Sequence, residues 1–382
     1  MTKARPFQLN VPDDVLNRII KRVKEFPWTS MTSFNGWEYG TNCSYMKNLC
    51  AYWVNEFDWR KQEAAINRFS HFTVPIEDID IHFIKEKGSG PAPIPLIISH
   101  GWPGTILEFL NIIEPLAHPE CFGGDLEDAF DVITPSLPGF GFSGKPPRPF
   151  GPRKMAKFFN TLMTDVLGYE RYLAQGGDWG GAISSWLGYD HAPSCAAIHI
   201  NIMTMRHPDG PRGLEEKAWA EAFKREQMME NGYRTQQATK PQTLSYAMID
   251  SPVGVAAWII EKFNSWSDTE GDDIESVYSK DELLTNIMVY LITESFDTAS
   301  WIYTGRREEG GWVLSPEGKR VEVPTGCALF PEELLSWPPR SYVERVYNVT
   351  HWTEMPRGGH FAAMEQPELL INDIRNFAKS LR

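Results

Sequence analysis

The sequence predicts an α/β protein: a doubly wound, mostly parallel sheet with a helical cap inserted between two strands and a helical extension at the N-terminus. Short apolar, strand-like runs alternate with helical segments from about residue 79 to residue 203, a pattern typical of a parallel sheet covered by helices. From about 208 to 305 the apolar residues keep a helical spacing, and the alternation resumes at about 327. This interruption is the basis for predicting a cap.

Two helical stretches open the chain. Residues 11–26 carry Leu16 and Ile20 on one helical face. A second stretch, 46–66, is rich in aromatic residues. We interpret residues 1–75 as an N-terminal extension that packs on the core.

The core is predicted in two parts. Residues 76–204 form the first part and residues 321–382 the second, with the cap, 205–320, between them. The second part ends in a helix that begins at Pro367. The runs predicted as strands are residues 79–84, 94–99, 131–134, 172–174, 327–330 and 346–349.

Composition excludes several classes of function. The chain has 382 residues, of which 42% are hydrophobic, and can bury a large core. A formal net charge of −13 argues against binding to nucleic acid or to an anionic membrane, because long-range repulsion would oppose both. Five scattered cysteines show no paired metal-ligand spacing, which predicts reduced thiols. The N-terminal residues lack an apolar signal region, and no run reaches the roughly 18 residues of a spanning helix. We expect a soluble, cytoplasmic protein.

A glycine-rich turn carries an aspartate at its apex. Residues 176–181 read GGDWGG, after an apolar strand and before a helical segment. In a nucleophile elbow glycines flank the nucleophile, because the strained backbone leaves no room for Cβ atoms, and here Asp178 lies at that position. A carboxylate that attacks an sp³ carbon gives an alkyl ester, which indicates epoxide opening or halide displacement. A helix cap or a phosphate-binding turn would explain the same pattern without this chemistry.

A second turn follows an earlier strand. Residues 100–104 read HGWPG. An oxyanion hole in such a fold combines the main-chain N–H after the nucleophile, here that of Trp179, with one from this earlier loop, for which Trp102 is the candidate. Pro103 cannot donate, and we expect a cis peptide bond before it. The alternative is a simple strand-exit turn.

An acid and a histidine follow in the chain order that an elbow nucleophile requires. His360 lies in residues 357–363, RGGHFAA, a glycine-rich loop before the final helix. The candidate acid is Glu333, with Glu332 as its adjacent rival. Spacing alone does not separate the two.

Taken in order, these motifs resemble those of epoxide hydrolases in the α/β-hydrolase superfamily, in particular the microsomal-type branch and its soluble fungal relatives. The resemblance covers nearly the whole chain, and residues 39–67 resemble the N-terminal domain of that branch. In the family the acid lies in a Phe-Pro-x-Glu/Asp-Leu pattern, which selects Glu333. Two cap tyrosines hold the epoxide oxygen, and the matching positions are Tyr233 and Tyr303. That branch often carries an N-terminal membrane anchor; because this sequence begins directly with residues that resemble the soluble domain, we do not expect membrane association.

The resemblance implies an α/β-hydrolase fold and an epoxide hydrolase. Asp178 would attack a small apolar epoxide, and His360, oriented by Glu333, would activate the water that hydrolyses the resulting ester to a vicinal diol. Phenols suit the leaving oxygen because they donate hydrogen bonds to a developing alkoxide, whereas ionised carboxylates would repel it. No metal or organic cofactor is required.

Two other functions stay open. A haloalkane dehalogenase would use the same aspartate and bind halide through side-chain N–H groups, one of them from Trp179. A non-catalytic protein on the same scaffold would bind an apolar ligand beneath the cap, which carries Trp219, Trp258, Trp266 and Trp301. The sequence does not reveal the substrate or the selectivity. It does not reveal the oligomeric state either, and a homodimer is one open alternative.

Overall fold

A computed structural model describes residues 3–32, 34–311, 313 and 319–382. The described residues form one nine-stranded sheet in the order β1-β2-β3-β5-β4-β6-β7-β8-β9. The strands from β5 through β9 in this order pair in parallel, and β1, β2 and β3 are antiparallel at one edge. The strands are β1 (Arg5–Phe7), β2 (His71–Ile76), β3 (Ile79–Glu86), β4 (Ile94–Ser99), β5 (Phe130–Pro135), β6 (Tyr172–Gly176), β7 (Cys195–Ile200), β8 (Val321–Leu329) and β9 (Tyr347–Glu354).

The helices cover both faces of the sheet and form the cap. Because the central strands are covered on both sides, β5 and β6 are buried at every position and are mostly apolar. The helices are α1 (Asp13–Lys24), α2 (Cys43–Asn55), α3 (Trp59–Ile66), α4 (Leu110–Ala117), α5 (Pro152–Thr161), α6 (Asp178–Asp190), α7 (Gly213–Thr239), α8 (Pro241–Asp250), α9 (Pro252–Ser265), α10 (Lys280–Ile292), α11 (Phe296–Glu308), α12 (Arg340–Val346), α13 (Ala362–Glu365) and α14 (Pro367–Lys379).

The N-terminal extension differs from its prediction in two respects. The stretch 46–66 is divided into α2 and α3, because the side chain of Asp58 accepts hydrogen bonds from the main-chain N–H groups of Arg60 and Lys61 and begins a new helix. In addition, β1 and β2 add to the edge of the sheet. The sequence analysis recognised neither strand.

The cap comprises α7 to α11, between β7 and β8. Side chains from α10 bind the turn that follows β4: Asn286 Nδ2 donates to the carbonyl of Pro103 at 2.9 Å, and the Tyr290 hydroxyl to that of Gly104 at 2.9 Å. The cap is therefore fixed directly to the predicted oxyanion loop. The predicted domain boundaries stay predictions, and residues 312 and 314–318 of the predicted cap lie outside the described residues.

Topology brings the predicted motifs to one edge of the sheet. Strands β4 and β6 are parallel neighbours, with Ser99 paired to Gly176 at their carboxyl ends. The turns that follow them are therefore adjacent, as expected for a site at the carboxyl edge of a parallel sheet. No single helix among the described residues is long and apolar enough to cross a membrane; α8 and α9 together pass that test of length and composition but are bent by 118°.

Candidate active site

Asp178 lies at the apex of a strained turn between β6 and α6. Its φ of +44° falls in the left-handed region of backbone conformation, which residues other than glycine rarely adopt. Close packing explains the neighbouring glycine: a Cβ atom on Gly180 would lie 1.7 Å from the carbonyl oxygen of Ser99. The turn therefore has the backbone geometry predicted for a nucleophile elbow.

The Asp178 carboxylate contacts the HGWPG turn after β4. The main-chain N–H of Trp102 donates a 2.7 Å hydrogen bond to Oδ1 of Asp178. A Cβ atom on Gly101 would lie 2.1 Å from the same oxygen, so only glycine leaves room for the carboxylate. The Trp102–Pro103 peptide bond is cis, as expected. Trp179, the other predicted donor, follows Asp178 in the first turn of α6.

His360 lies between two carboxylates. Its Nδ1 is 2.6 Å from Oε1 of Glu333, and its Nε2 is 3.4 Å from Oδ2 of Asp178. Burial lowers the pKa of His360, but the charges of Glu333 and Asp178 together raise it well above the usual value for histidine. Glu332 is exposed, whereas Glu333 is buried. The structure thus brings Glu333, and not its rival, to the histidine.

Glu365 fixes the loop that carries His360. Its carboxylate accepts hydrogen bonds from the main-chain N–H groups of Gly359 at 2.9 Å and Phe361 at 2.8 Å, and from that of Asp268 in the cap at 2.8 Å. Burial raises the pKa of Glu365 to about 7, although these three amides act to lower it. One carboxylate therefore joins the histidine loop to the cap.

The two cap tyrosines face each other near Asp178. Tyr233 on α7 and Tyr303 on α11 have ring centroids 5.8 Å apart. The Tyr233 ring stacks on Trp102 at 5.1 Å, and the Tyr303 ring packs edge-on against Trp179 at 4.7 Å. Burial raises the pKa of both tyrosines well above the usual value, and the charge of Asp178 raises them further. Both phenols are therefore protonated hydrogen-bond donors at neutral pH.

Aromatic rings form the wall between the cap and the core. Trp266, at the end of α9, lies 5.2 Å from Tyr233 and 5.1 Å from the His360 ring between centroids. Its carbonyl oxygen accepts a 2.8 Å hydrogen bond from the main-chain N–H of His360. The sequence analysis named Trp266 only as a cap tryptophan, because nothing in its local sequence indicates this contact.

A small polar cavity lies beside Asp178 and His360. Glu108, Gln175 and Asn201 contribute its other polar side chains. None of these three residues was predicted from the sequence. The one available signal was the position of Glu108, four residues after the HGWPG turn.

The fold and the site define an α/β hydrolase with an aspartate at the nucleophile position. Two family models match the chain: epoxide hydrolase N terminus over residues 4–109, and alpha/beta hydrolase fold over residues 94–223. The chain is 38% identical to a putative epoxide hydrolase of Stigmatella aurantiaca, over 99% of this chain and 85% of that protein. It is 37% identical to epoxide hydrolase 1 of Sus scrofa, over 98% of this chain and 88% of that protein.

Solved structures agree with this similarity. The juvenile hormone epoxide hydrolase of Bombyx mori superposes with a TM-score of 0.88 at 26% identity, covering 100% of this chain and 95% of that one. Aspergillus niger epoxide hydrolase superposes with a TM-score of 0.85 at 29% identity, covering 100% and 97%. The chain belongs to the epoxide hydrolase family, in the group that carries the N-terminal epoxide hydrolase domain. The resemblance found in the sequence is confirmed.

Proposed function

We propose that this protein hydrolyses a small apolar epoxide to a vicinal diol through a covalent ester on Asp178. The proposal rests on the groups that surround Asp178. The protonated phenols of Tyr233 and Tyr303 lie on the cap side, and the His360–Glu333 pair lies on the other side. Phenols donate hydrogen bonds to an oxygen that gains negative charge, and the histidine pair activates water.

The first step opens the epoxide. Oδ1 of Asp178 already accepts a hydrogen bond from the Trp102 N–H, so it becomes the carbonyl oxygen of the ester, and Oδ2 attacks the epoxide carbon. The carbon–oxygen bond of the ring breaks, and its electron pair goes to the ring oxygen. Tyr233 and Tyr303 stabilise that oxygen, and one of them supplies its proton. The phenolate left behind regains a proton from His360, whose raised pKa keeps it protonated before the reaction.

Ester formation prepares His360 for the second step. It removes the negative charge of Asp178, one of the two charges that raise the pKa of His360, and so favours the neutral imidazole. His360 then takes a proton from water while the water oxygen attacks Cγ of Asp178. The main-chain N–H groups of Trp102 and Trp179 stabilise the tetrahedral oxyanion. Its collapse releases the diol, whose leaving oxygen takes the proton back from His360. The new carboxyl group of Asp178 then gives its remaining proton to His360, which restores the carboxylate and the protonated histidine.

Trapping the ester tests this function. We expect His360→Ala to form the ester but not to hydrolyse it, so that mass spectrometry of the Asp178 peptide shows an adduct equal to the whole epoxide. Wild type and His118→Ala, the control, should turn the same epoxide over and accumulate no adduct. A panel of haloalkanes serves as the competing substrates; an adduct from these alone would identify a dehalogenase.

Two results would contradict the proposal. One is diol formation by wild type with no adduct in His360→Ala. The other is turnover in ¹⁸O-labelled water that leaves Asp178 unlabelled, since hydrolysis at Cγ must exchange one carboxylate oxygen over repeated cycles. Binding of an apolar ligand without any turnover would favour a non-catalytic protein.

A further inference from the structure

The cavity beside Asp178 has the size of a single water molecule. It admits a water-sized sphere whose centre can move through about 10 Å³, close to the minimum that one buried water requires. Its walls include the catalytic pair Asp178 and His360, together with Glu108, Gln175 and Asn201. A buried water needs two to four polar partners, and this cavity provides them.

Two of these groups have unused hydrogen-bonding capacity. Gln175 donates through Nε2 to Asn201 at 3.0 Å, but its buried Oε1 forms no hydrogen bond within the described ranges 3–32, 34–311, 313 and 319–382. Nε2 of His360 likewise forms none to the described residues, and its distance of 3.4 Å to Asp178 is long for a hydrogen bond. One acceptor and the proposed base are thus available in the same small cavity.

Glu108 lies in a short 3₁₀ turn, Ile106–Phe109, that follows the HGWPG turn, and it lines the cavity together with Asp178. A Cβ atom on Gly104 would lie 1.6 Å from Oε1 of Glu108, just as one on Gly101 would lie 2.1 Å from Oδ1 of Asp178. Two glycines of the HGWPG turn thus each leave space for a carboxyl group. The cost of a buried carboxylate is large unless it is paired or protonated.

The titratable groups around Glu108 decide its charge. Burial raises its pKa to about 8; His360 lowers it, Asp178 raises it, and the main-chain amide of Gly101 lowers it. Tyr278 and Tyr290 face it from the cap, and both hold their protons because burial raises their pKa well above the usual value. At neutral pH the Glu108 carboxyl is therefore mostly protonated and serves as a donor.

We propose that this cavity binds the water that hydrolyses the Asp178 ester, with Glu108 and Gln175 as its orienting partners. The water donates one hydrogen to Nε2 of His360 and the other to Oε1 of Gln175, and it accepts a hydrogen bond from the Glu108 hydroxyl. Its remaining lone pair is directed at Cγ of Asp178. The proposal rests on the proposed function and adds a residue, Glu108, that acts in its second step only.

The two half-reactions separate this role from a structural one. With an epoxide that wild type hydrolyses, rapid quenching and mass spectrometry give the rate of ester formation and the rate of ester hydrolysis. We expect Glu108→Leu to form the ester at close to the wild-type rate and to hydrolyse it at least ~10-fold more slowly, the size of effect expected for the loss of one orienting hydrogen bond. Glu108→Gln keeps a donor and should retain most of the hydrolysis rate.

Glu309→Leu is the matched control. Burial also raises the pKa of Glu309, but its carboxylate binds the main-chain N–H groups of Arg153 and Lys154 on α5, away from the cavity. We expect both half-reactions to keep their wild-type rates in this variant. Equal slowing of both steps by Glu108→Leu, or hydrolysis as slow in Glu108→Gln as in Glu108→Leu, would overturn the proposal.

A pH profile decides the case if Glu108→Leu does not fold. In wild type, ionisation of Glu108 above about pH 8 removes the donor, so the rate of ester hydrolysis should fall there. Glu108→Gln has no such proton and should lose this decline; a decline that persists unchanged would refute the role of Glu108. Failure of the covalent function is distinct, because then no ester would form in any variant, His360→Ala included.

Discussion

The main-chain N–H of Trp102 donates a 2.7 Å hydrogen bond to Oδ1 of Asp178. In the proposed mechanism, an oxygen of Asp178 thus occupies, before any reaction, the position in which the oxyanion of the second step would form. The same donor polarises the ester carbonyl once it exists. Any change that moves Asp178 relative to Trp102 should therefore affect both half-reactions.

Gly101→Ala tests this contact. The added Cβ would lie 2.1 Å from Oδ1, so the carboxylate must move away from the Trp102 N–H. Because a misplacement of ~1 Å can reduce a rate by about 10²-fold, we expect both ester formation and ester hydrolysis to fall by about that factor. Gly232→Ala in α7 is the control, since a Cβ there meets nothing within 4 Å. Loss in one half-reaction alone would contradict the dual role of the contact.

Removing one phenol should slow the first half-reaction. We expect Tyr233→Phe and Tyr303→Phe each to reduce the rate of ester formation by about 10²-fold, the lower end for a positioned acid, while preformed ester is hydrolysed at the wild-type rate. Each phenylalanine keeps the ring packing with Trp102 or Trp179. Tyr172→Phe, whose hydroxyl binds Asn160, is the control. Stopped-flow measurement of Trp fluorescence on mixing with epoxide reports the first step.

Glu333→Gln should lower the pKa of His360. Titration of the His360 ring by NMR measures this directly, and Glu332→Gln, which changes the exposed neighbour, should leave it at the wild-type value. Because the native pKa of His360 is raised, its protonation stabilises the fold below about pH 6.5, the unfolded value. That contribution is lost as the pH rises through the native pKa. The difference in the free energy of unfolding between wild type and Glu333→Gln should therefore be largest at acidic pH. A difference that does not depend on pH would show that Glu333 does not stabilise protonated His360.

Glu365→Gln should change the pH dependence of stability in the same sense as Glu333→Gln, because the native pKa of Glu365 is also raised. The native pKa of Glu365 is about 7, above the usual glutamate value of 4.5, so the native state binds this proton more tightly than the unfolded state. The free energy of unfolding should therefore decrease between about pH 4.5 and pH 7 in wild type. Chemical denaturation at pH 5, 6 and 7 should show a flatter profile for the variant. Identical profiles would show that Glu365 does not titrate in this range.

The parts of the site that depend on local sequence were predictable. The GGDWGG turn is determined by its own glycines, so the position of Asp178 was readable without a structure. The family's Phe-Pro-x-Glu/Asp-Leu pattern selected Glu333, but spacing alone could not decide between Glu332 and Glu333, because the choice depends on which side chain points toward a loop some 27 residues later. Glu108 was missed for the same reason. It is a candidate site residue because it shares a cavity with Asp178 and His360, and only the folded chain shows this proximity.

The elements of the fold were likewise predictable only where their local sequence is distinctive. Apolar runs of the buried central strands β4, β5 and β6 were recognised, since burial on both faces makes their sequences distinctive. The edge strands β1 and β2 were missed, because β1 has three residues and β2 contains a proline. The break between α2 and α3 depends on the cap at Asp58, a signal that the aromatic residues around it obscured.

At Gly101 and Gly104 of the HGWPG turn, a carboxyl group lies where a side chain would begin, so this part of the site tolerates little change, whereas the surface of the cap can vary. Substitutions there disturb the chemistry itself and leave no room for gradual change. The rings of Tyr233, Trp266 and Tyr303 come from the cap, on helices that contribute no nucleophile or base. Changes around these rings alter the shape that a substrate meets while the reaction machinery stays intact. Directed evolution of selectivity in this protein should therefore accumulate its successful substitutions in the cap, and random libraries of the turn should yield almost exclusively inactive clones.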